Sequence, residues 1–133
     1  MLAITSKSPY AVRALTELAR AGSAAPVPIG ELARRRDIPV QFLEGMFATL
    51  RRAGILQSQR GVKGGYSFAR APGEVTVLDV VEVLEGSLSS DPMAADPIWA
   101  DAIGALRDQL RAVTIAELAE REAREAGAAM YYI

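Results

Sequence analysis

The chain has 133 residues, half of them apolar, with 15 basic and 16 acidic side chains for a formal net charge of −1, and it contains neither cysteine nor histidine. That length suits one domain with an extension rather than two independent enzymatic domains, and the missing residue types exclude a disulfide framework, a thiolate nucleophile, a cysteine-ligated metal centre and the commonest general base. The apolar runs fall well short of the roughly 18 residues a membrane span needs, and MLAITSKSPY lacks a signal-peptide core, so the expectation is a soluble cytoplasmic protein with no membrane partner.

The near-zero net charge is a cancellation. Residues 1–70 sum to +7 and residues 71–133 to −8, the asymmetry expected when a polyanion-binding segment is joined to one that binds none. Two differently solvated surfaces would give the same split, so the decision falls to the elements.

From Ser8 to about Arg20, Ala11, Val12, Leu15, Leu18 and Ala19 recur at three- and four-residue spacing and predict an amphipathic helix. Small residues and prolines from Gly22 to Pro28 end it. Ile29, Leu32 and Ala33 predict a short second helix running into Arg34, Arg35 and Arg36. After a tight connection at Asp37 to Pro39, Leu43, Met46, Phe47 and Leu50 form the stripe of a third helix that Gly54 closes. Alternation from Ile55 to Arg70 around Gly61, Gly64 and Gly65 predicts a β-hairpin. Thr76 caps a fourth helix carrying Leu78, Val81 and Leu84, which ends at Gly86. Residues 87–97 read as a loop. Trp99, Ile103, Leu106, Leu110 and Val113 then give a heptad-like stripe on a longer helix, and Thr114 with Glu117 caps a further helix to about Ala126.

Two short helices with a tight turn followed by a basic, glycine-rich hairpin form a winged helix-turn-helix plan. The fold class expected is therefore mainly α, with a two-stranded wing and a long C-terminal dimerisation helix. Gln41 and Glu44 lie near the start of the third helix, where a recognition helix meets base edges; glutamine bonds adenine and glutamate accepts from cytosine. Arg51 and Arg52 at the far end suit phosphates. In the wing, Arg60 and Lys63 flank glycines that allow close backbone approach to DNA. Each feature has a plainer reading: turn geometry for Gly64 and Gly65, core packing for Tyr66 and Phe68, a solvated helix end for Arg34 to Arg36. Their conjunction favours double-stranded DNA as partner.

The segments Tyr10-Ala-Val-Arg-Ala-Leu, Ile29-Gly-Glu-Leu-Ala, Phe42-Leu-Glu, Leu50-Arg-Arg-Ala-Gly-Ile-Leu, Arg60-Gly-Val-Lys-Gly-Gly-Tyr66 and Val77 to Gly86 together resemble the Rrf-two family of bacterial winged-helix transcription regulators, from near residue 1 to about residue 125. The resemblance implies a homodimer paired through its long C-terminal helices, reading a pseudo-palindromic operator, usually as a repressor. Tyr10, Phe42 and Tyr66 in these motifs join Lys7 as further candidate DNA contacts. Trp99, Ile103, Leu106, Leu110 and Val113 would form the dimer seam; the other reading of that stripe is an internal core helix. The organisation expected is a DNA-binding domain over residues 1–86, a loop over 87–97, dimerisation helices over 98–126 and a tail over 127–133.

Many members of that family hold an iron–sulfur cluster on three cysteines in the loop preceding the dimer helix. Here no thiolate is available for a soft iron centre. Asp91, Asp96 and Asp101 offer hard oxygen donors, but scattered acids of this kind read first as a solvated loop. No cofactor and no metal are therefore expected. The chain is closer to the cluster-free branch typified by a repressor of cysteine metabolism that works with cysteine synthase. That resemblance implies cysteine synthase as a partner, with Tyr131, Tyr132 and Ile133 as the docking peptide and the Ile133 carboxylate entering the enzyme's active site. The alternative is a tail packed on the dimer helix or frayed. Two other functions stand beside the repressor: an interaction adaptor acting through the acidic half, and a repressor answering a different signal. An enzyme is not expected, because no carboxylate pair accompanies a pocket motif.

Overall fold

A computed structural model describes residues 4–22 and 25–131. Six helices and one hairpin follow in chain order: α1 (Lys7–Arg20), α2 (Ile29–Arg36), α3 (Val40–Arg52), β1 (Leu56–Gln59), β2 (Gly65–Phe68), α4 (Val77–Glu85), α5 (Pro97–Arg111) and α6 (Ile115–Tyr131). The winged helix-turn-helix expected from the sequence is present.

The turn between α2 and α3 depends on Asp37, whose φ of +53° places it in the left-handed region, a conformation that Asp tolerates better than most residues. The Ile38 N–H then donates to the Ala33 carbonyl at 2.9 Å, which satisfies an end carbonyl of α2 and aims the chain into α3. The strands of the hairpin pair antiparallel in the register Leu56–Phe68 to Gln59–Gly65. Val27 adds a one-residue bridge to Tyr66, with N–H to carbonyl distances of 2.9 and 2.8 Å. The wing is thus fastened, through the tip-side half of β2, to the segment before α2.

Two apolar clusters share α4 as a wall. The larger holds Leu15, Leu32, Leu43, Phe47, Leu50, Ile55 and Val80, and it also takes in Ile115 from α6. The smaller is Leu78, Val81, Leu88 and Ile103, with Leu106 and Leu110 packed against it. The run Val77-Leu-Asp-Val-Val-Glu-Val-Leu is apolar on two sides, as a helix between two cores must be. A full capping box starts it: the Asp79 N–H donates to the Thr76 hydroxyl and the Thr76 N–H to the Asp79 carboxylate, each at 3.0 Å.

Three expectations change. Residues 87–97 hold short 3-10 turns, Leu88–Ser90 and Pro92–Ala95, with Leu88 buried. Helix α5 ends at Arg111, so Val113 lies beyond it, its carbonyl accepting from the Val77 N–H at 2.9 Å. Thr76 and Thr114 form a bridge there, and the Ile115 N–H donates to Val75 at 2.9 Å. The last helix runs to Tyr131 rather than stopping near Ala126. No helix among the described residues is long and apolar enough to cross a membrane.

Candidate nucleic-acid interface

Helix α3 buries Leu43, Met46, Phe47 and Leu50 and exposes Gln41, Glu44, Gly45, Arg51 and Arg52. This division follows from its 3.6-residue period and gives a polar outer face on a helix held by its neighbours, the requirement for entering a major groove. Phe42 is half-buried and meets Tyr10 edge-on, ring centroids 5.7 Å apart. The Arg13 guanidinium lies 5.5 Å from the Tyr10 ring centre. Lys7, at the start of α1, is exposed. At the other end of α3, Arg51 donates to the Ser58 hydroxyl at 3.2 Å and so joins the helix to the wing. Arg52 donates to the Thr49 hydroxyl at 3.2 Å.

The wing tip is a turn closed by the Gly64 N–H on the Gly61 carbonyl at 3.0 Å. Arg60, Val62 and Lys63 are exposed around it. The glycines divide by cause. A Cβ on Gly64 would stand 2.2 Å from the Gln59 carbonyl oxygen, and one on Gly65 would stand 2.3 Å from the Val27 backbone, so the fold itself requires both. Only Gly61, at φ +110° with nothing near its Cβ position, faces open space at the tip. Tyr66 packs edge-on to Phe47 at 5.1 Å between centroids and lies, partly buried, against the hydrophobic core.

Ion pairing sorts the cations more sharply than the sequence does. Arg34 and Arg35 pair with Glu31 at 2.7 and 3.0 Å. Arg35 also reaches Glu17 at 3.3 Å. Arg36 bonds Glu17 at 2.9 Å and grips Glu122 of α6 through both terminal nitrogens. Arg20 adds a contact to Glu122 at 3.3 Å. The hydrogen bonds that Arg36 donates to Glu122, and less those to Glu17, hold its pKa above the ordinary value despite burial. Those from Arg34 and Arg35 hold the Glu31 carboxyl below the usual range. Among the described residues, Lys7, Arg13, Arg51, Arg52, Arg60, Lys63 and, on α6, Arg124 have no carboxylate partner.

Of the residues predicted from sequence to touch DNA, Lys7, Gln41, Glu44, Arg51, Arg52, Arg60 and Lys63 are exposed around α3 and the wing. Tyr10, Phe42, Gly64, Gly65 and Tyr66 are at least half-occupied by packing. The stripe of α5 turns inward: Ile103 is 6% exposed against α4, with Leu106 and Leu110 beside it. Trp99 remains 46% exposed, next to Ile98 at 66%. Tyr132 and Ile133 lie outside the described residues, and Tyr131 is described only as the last residue of α6. Sequence reasoning passed over Val62, although its place between Gly61 and Lys63 marks it as a tip residue.

The model of the Rrf2 family, described as an iron-dependent transcriptional regulator, matches residues 4–121. A protein of Synechocystis sp. named as an HTH-type transcriptional regulator is 41% identical over 93 residues, 70% of this chain, and this chain spans 63% of that relative's length. The HTH-type transcriptional regulator IscR of Citrobacter koseri is 29% identical over 131 residues, covering 90% of this chain and 80% of that one. Among solved structures, CymR, the global cysteine regulator of B. subtilis, superposes with a TM-score of 0.80 at 29% identity over 91% of this chain and 98% of that chain. IscR of T. potens superposes with a TM-score of 0.79 at 34% identity over 94% and 90%.

The residues between α4 and α5 do not fit an iron–sulfur cluster. The sequence contains no cysteine or histidine to supply thiolate or imidazole. Asp91 is engaged as a cap, its carboxylate accepting from the Met93 N–H at 2.9 Å. Among the described residues, no three acidic side chains converge in a way that could hold a metal ion.

Proposed function

Because the chain belongs to the Rrf2 family of transcriptional regulators, a family of helix-turn-helix regulators rather than of enzymes, we propose that it is a sequence-specific DNA-binding repressor that works without an iron–sulfur cluster. The observation that carries this reading is the sorting of the cations. Those of α2 are neutralised within the chain, whereas, among the described residues, all the unpaired ones but Arg124 of α6 belong to the first half of α1, the end of α3 and the wing. Helix α3 would lie in the major groove with Gln41 and Glu44 at base edges, and Arg51, Arg52, Arg60 and Lys63 would meet phosphates. Glu44 supports base contact in particular, because an exposed carboxylate facing phosphates would repel them.

A pseudo-palindromic site requires two copies. The surface supporting a homodimer is the outer side of α5, where Ile98, Trp99, Ala102 and Ala105 are exposed. Ile103, Leu106 and Leu110 would serve it from beneath by fixing α5 on α4. Residues 1–86 with α6 would form the reading body and α5 the pairing element. Control of cysteine metabolism is supported by the likeness to the B. subtilis cysteine regulator. Cysteine synthase would then be a partner, docking on Tyr131, Tyr132 and Ile133.

Titration of labelled duplexes recovered by selection from random DNA tests the function. Affinity for a selected duplex should exceed that for its scrambled copy by about a thousandfold or more at physiological salt, and equal affinities would overturn the reading. Sedimentation of Ile98→Asp should give a monomer. Capture of cysteine synthase by the wild type but not by the chain lacking Ile133 tests the partner.

A further inference from the structure

Helix α3 carries an exposed glycine near its midpoint, Gly45. Glycine inside a helix is destabilising relative to alanine, so its presence needs a cause. A Cβ at this position would meet nothing within 4 Å, and the helical backbone gives no dihedral reason for glycine. Gly30, Gly104 and Gly127 are equally open in other helices, so openness alone assigns no role.

Two observations set Gly45 apart. It lies on a groove of about 320 Å³ whose apolar lining comes from Phe42, Met46 and Leu84, with Lys7, Gln41 and Thr49 completing it. The Thr49 hydroxyl is already engaged, donating to the Gly45 carbonyl at 3.1 Å and accepting from Arg52. Thr49 therefore has its methyl group left to offer, and the groove is more apolar than its composition suggests. The second observation is charge: Lys7 is among the cations with no carboxylate partner in the described residues, so this apolar notch opens on a surface suited to a polyanion.

We infer that Gly45 and the groove beside it form a subsite for the C5 methyl group of a thymine. Thymine is the one base that presents an apolar group at the major-groove edge. The bare backbone at Gly45 lets α3 approach closely enough for that methyl to enter the notch, and any side chain would occupy the space instead. Gln41, four residues earlier on the same face, is placed to bond an adenine nearby, so helix and notch together favour an A·T-containing step. The inference rests on α3 reading the major groove.

The test uses the full chain and a selected duplex in which thymines are replaced one at a time by deoxyuridine, which removes only the methyl. Wild type should lose about fourfold in affinity at one thymine per half-site, the value of one buried methyl-sized group. Gly45→Ala should melt roughly 2–4 °C higher, bind the selected duplex about tenfold more weakly, bind scrambled DNA as the wild type does, and be indifferent to that deoxyuridine. Unchanged operator affinity in Gly45→Ala, or the same deoxyuridine loss in both proteins, would overturn the subsite while leaving DNA reading intact. Failure of the wild type to separate selected from scrambled DNA would overturn both.

Discussion

Two groups of cations belong to the helix-turn-helix and its wing. At the end of α2, Arg34, Arg35 and Arg36 lie against Glu31, Glu17 and Glu122; at the end of α3 and in the wing, Arg51, Arg52, Arg60 and Lys63 meet no carboxylate among the described residues. The first group is structural cement and the second is available charge. Formal net charge cannot make the distinction, because it counts both alike. What matters to a polyanion is the charge left after internal pairing, and among the described residues that remainder, Arg124 of α6 apart, belongs to the first half of α1, the end of α3 and the wing.

The sharpest way to break the contrast is to remove wing cations. Arg60→Ala with Lys63→Ala should weaken binding to selected and scrambled duplexes alike, by about 100-fold near 0.1 M salt, and lower the salt dependence of the dimer by about four counterions, two from each subunit. Chemical denaturation should move by no more than about 0.5 kcal/mol, as for other exposed substitutions. Arg36→Ala should do the reverse. With its side chain 17% exposed between Glu17 and Glu122, its loss should cost about 2 kcal/mol in urea unfolding, while DNA affinity of the folded protein changes less than about twofold. Comparable loss of DNA affinity in both variants would abolish the distinction.

Smaller effects sharpen it. Gln41→Ala should lose about tenfold on the selected duplex alone and relax preference at one base pair, because it touches specificity rather than charge. The smallest expected effect is a pH dependence. Hydrogen bonds from Arg36 hold the Glu122 carboxyl below its ordinary value of 4.5. A depressed pKa in the folded state means that its stabilisation is complete above the ordinary carboxylate value and is lost as pH falls through the folded one. Thermal midpoints of the wild type should therefore fall more steeply below about pH 4.5 than those of Glu122→Gln, the two curves converging in acid.

Helix periodicity and the glycine-rich turn made the winged fold legible, because the apolar spacings of α1, α3 and α4 and the alternation of the hairpin are local properties. The fate of Arg34 to Arg36 was not legible. The partners of Arg36 lie 19 and 86 residues away, and no local pattern announces them. The stripe of α5 could be seen but not its destination: Ile103, Leu106 and Leu110 look alike whether they face a second copy or, as here, α4. Gly64 and Gly65 were recognisable as turn residues, yet the obstacles that require glycine are carbonyls of Gln59 and Val27, visible only after folding. At the candidate site the charged residues were readable from type and position. The groove beside Gly45 was not, because Leu84 comes to it from another helix.

The bridge between Thr76 and Thr114 gives the chain a modular grammar. From Val75 to Val77 it sets out through α4, the 3-10 turns and α5, and returns beside its point of departure, with Val77 held to Val113 and Ile115 to Val75. Everything past Gly86 and before Thr114 is in effect a closed parenthesis. Changes within it are therefore expected to leave α6 in its seat on α1. A chain without cysteine or histidine can thereby hold the same helix-turn-helix and wing as the CymR and IscR structures it superposes on, since the bracket closes independently of what it encloses.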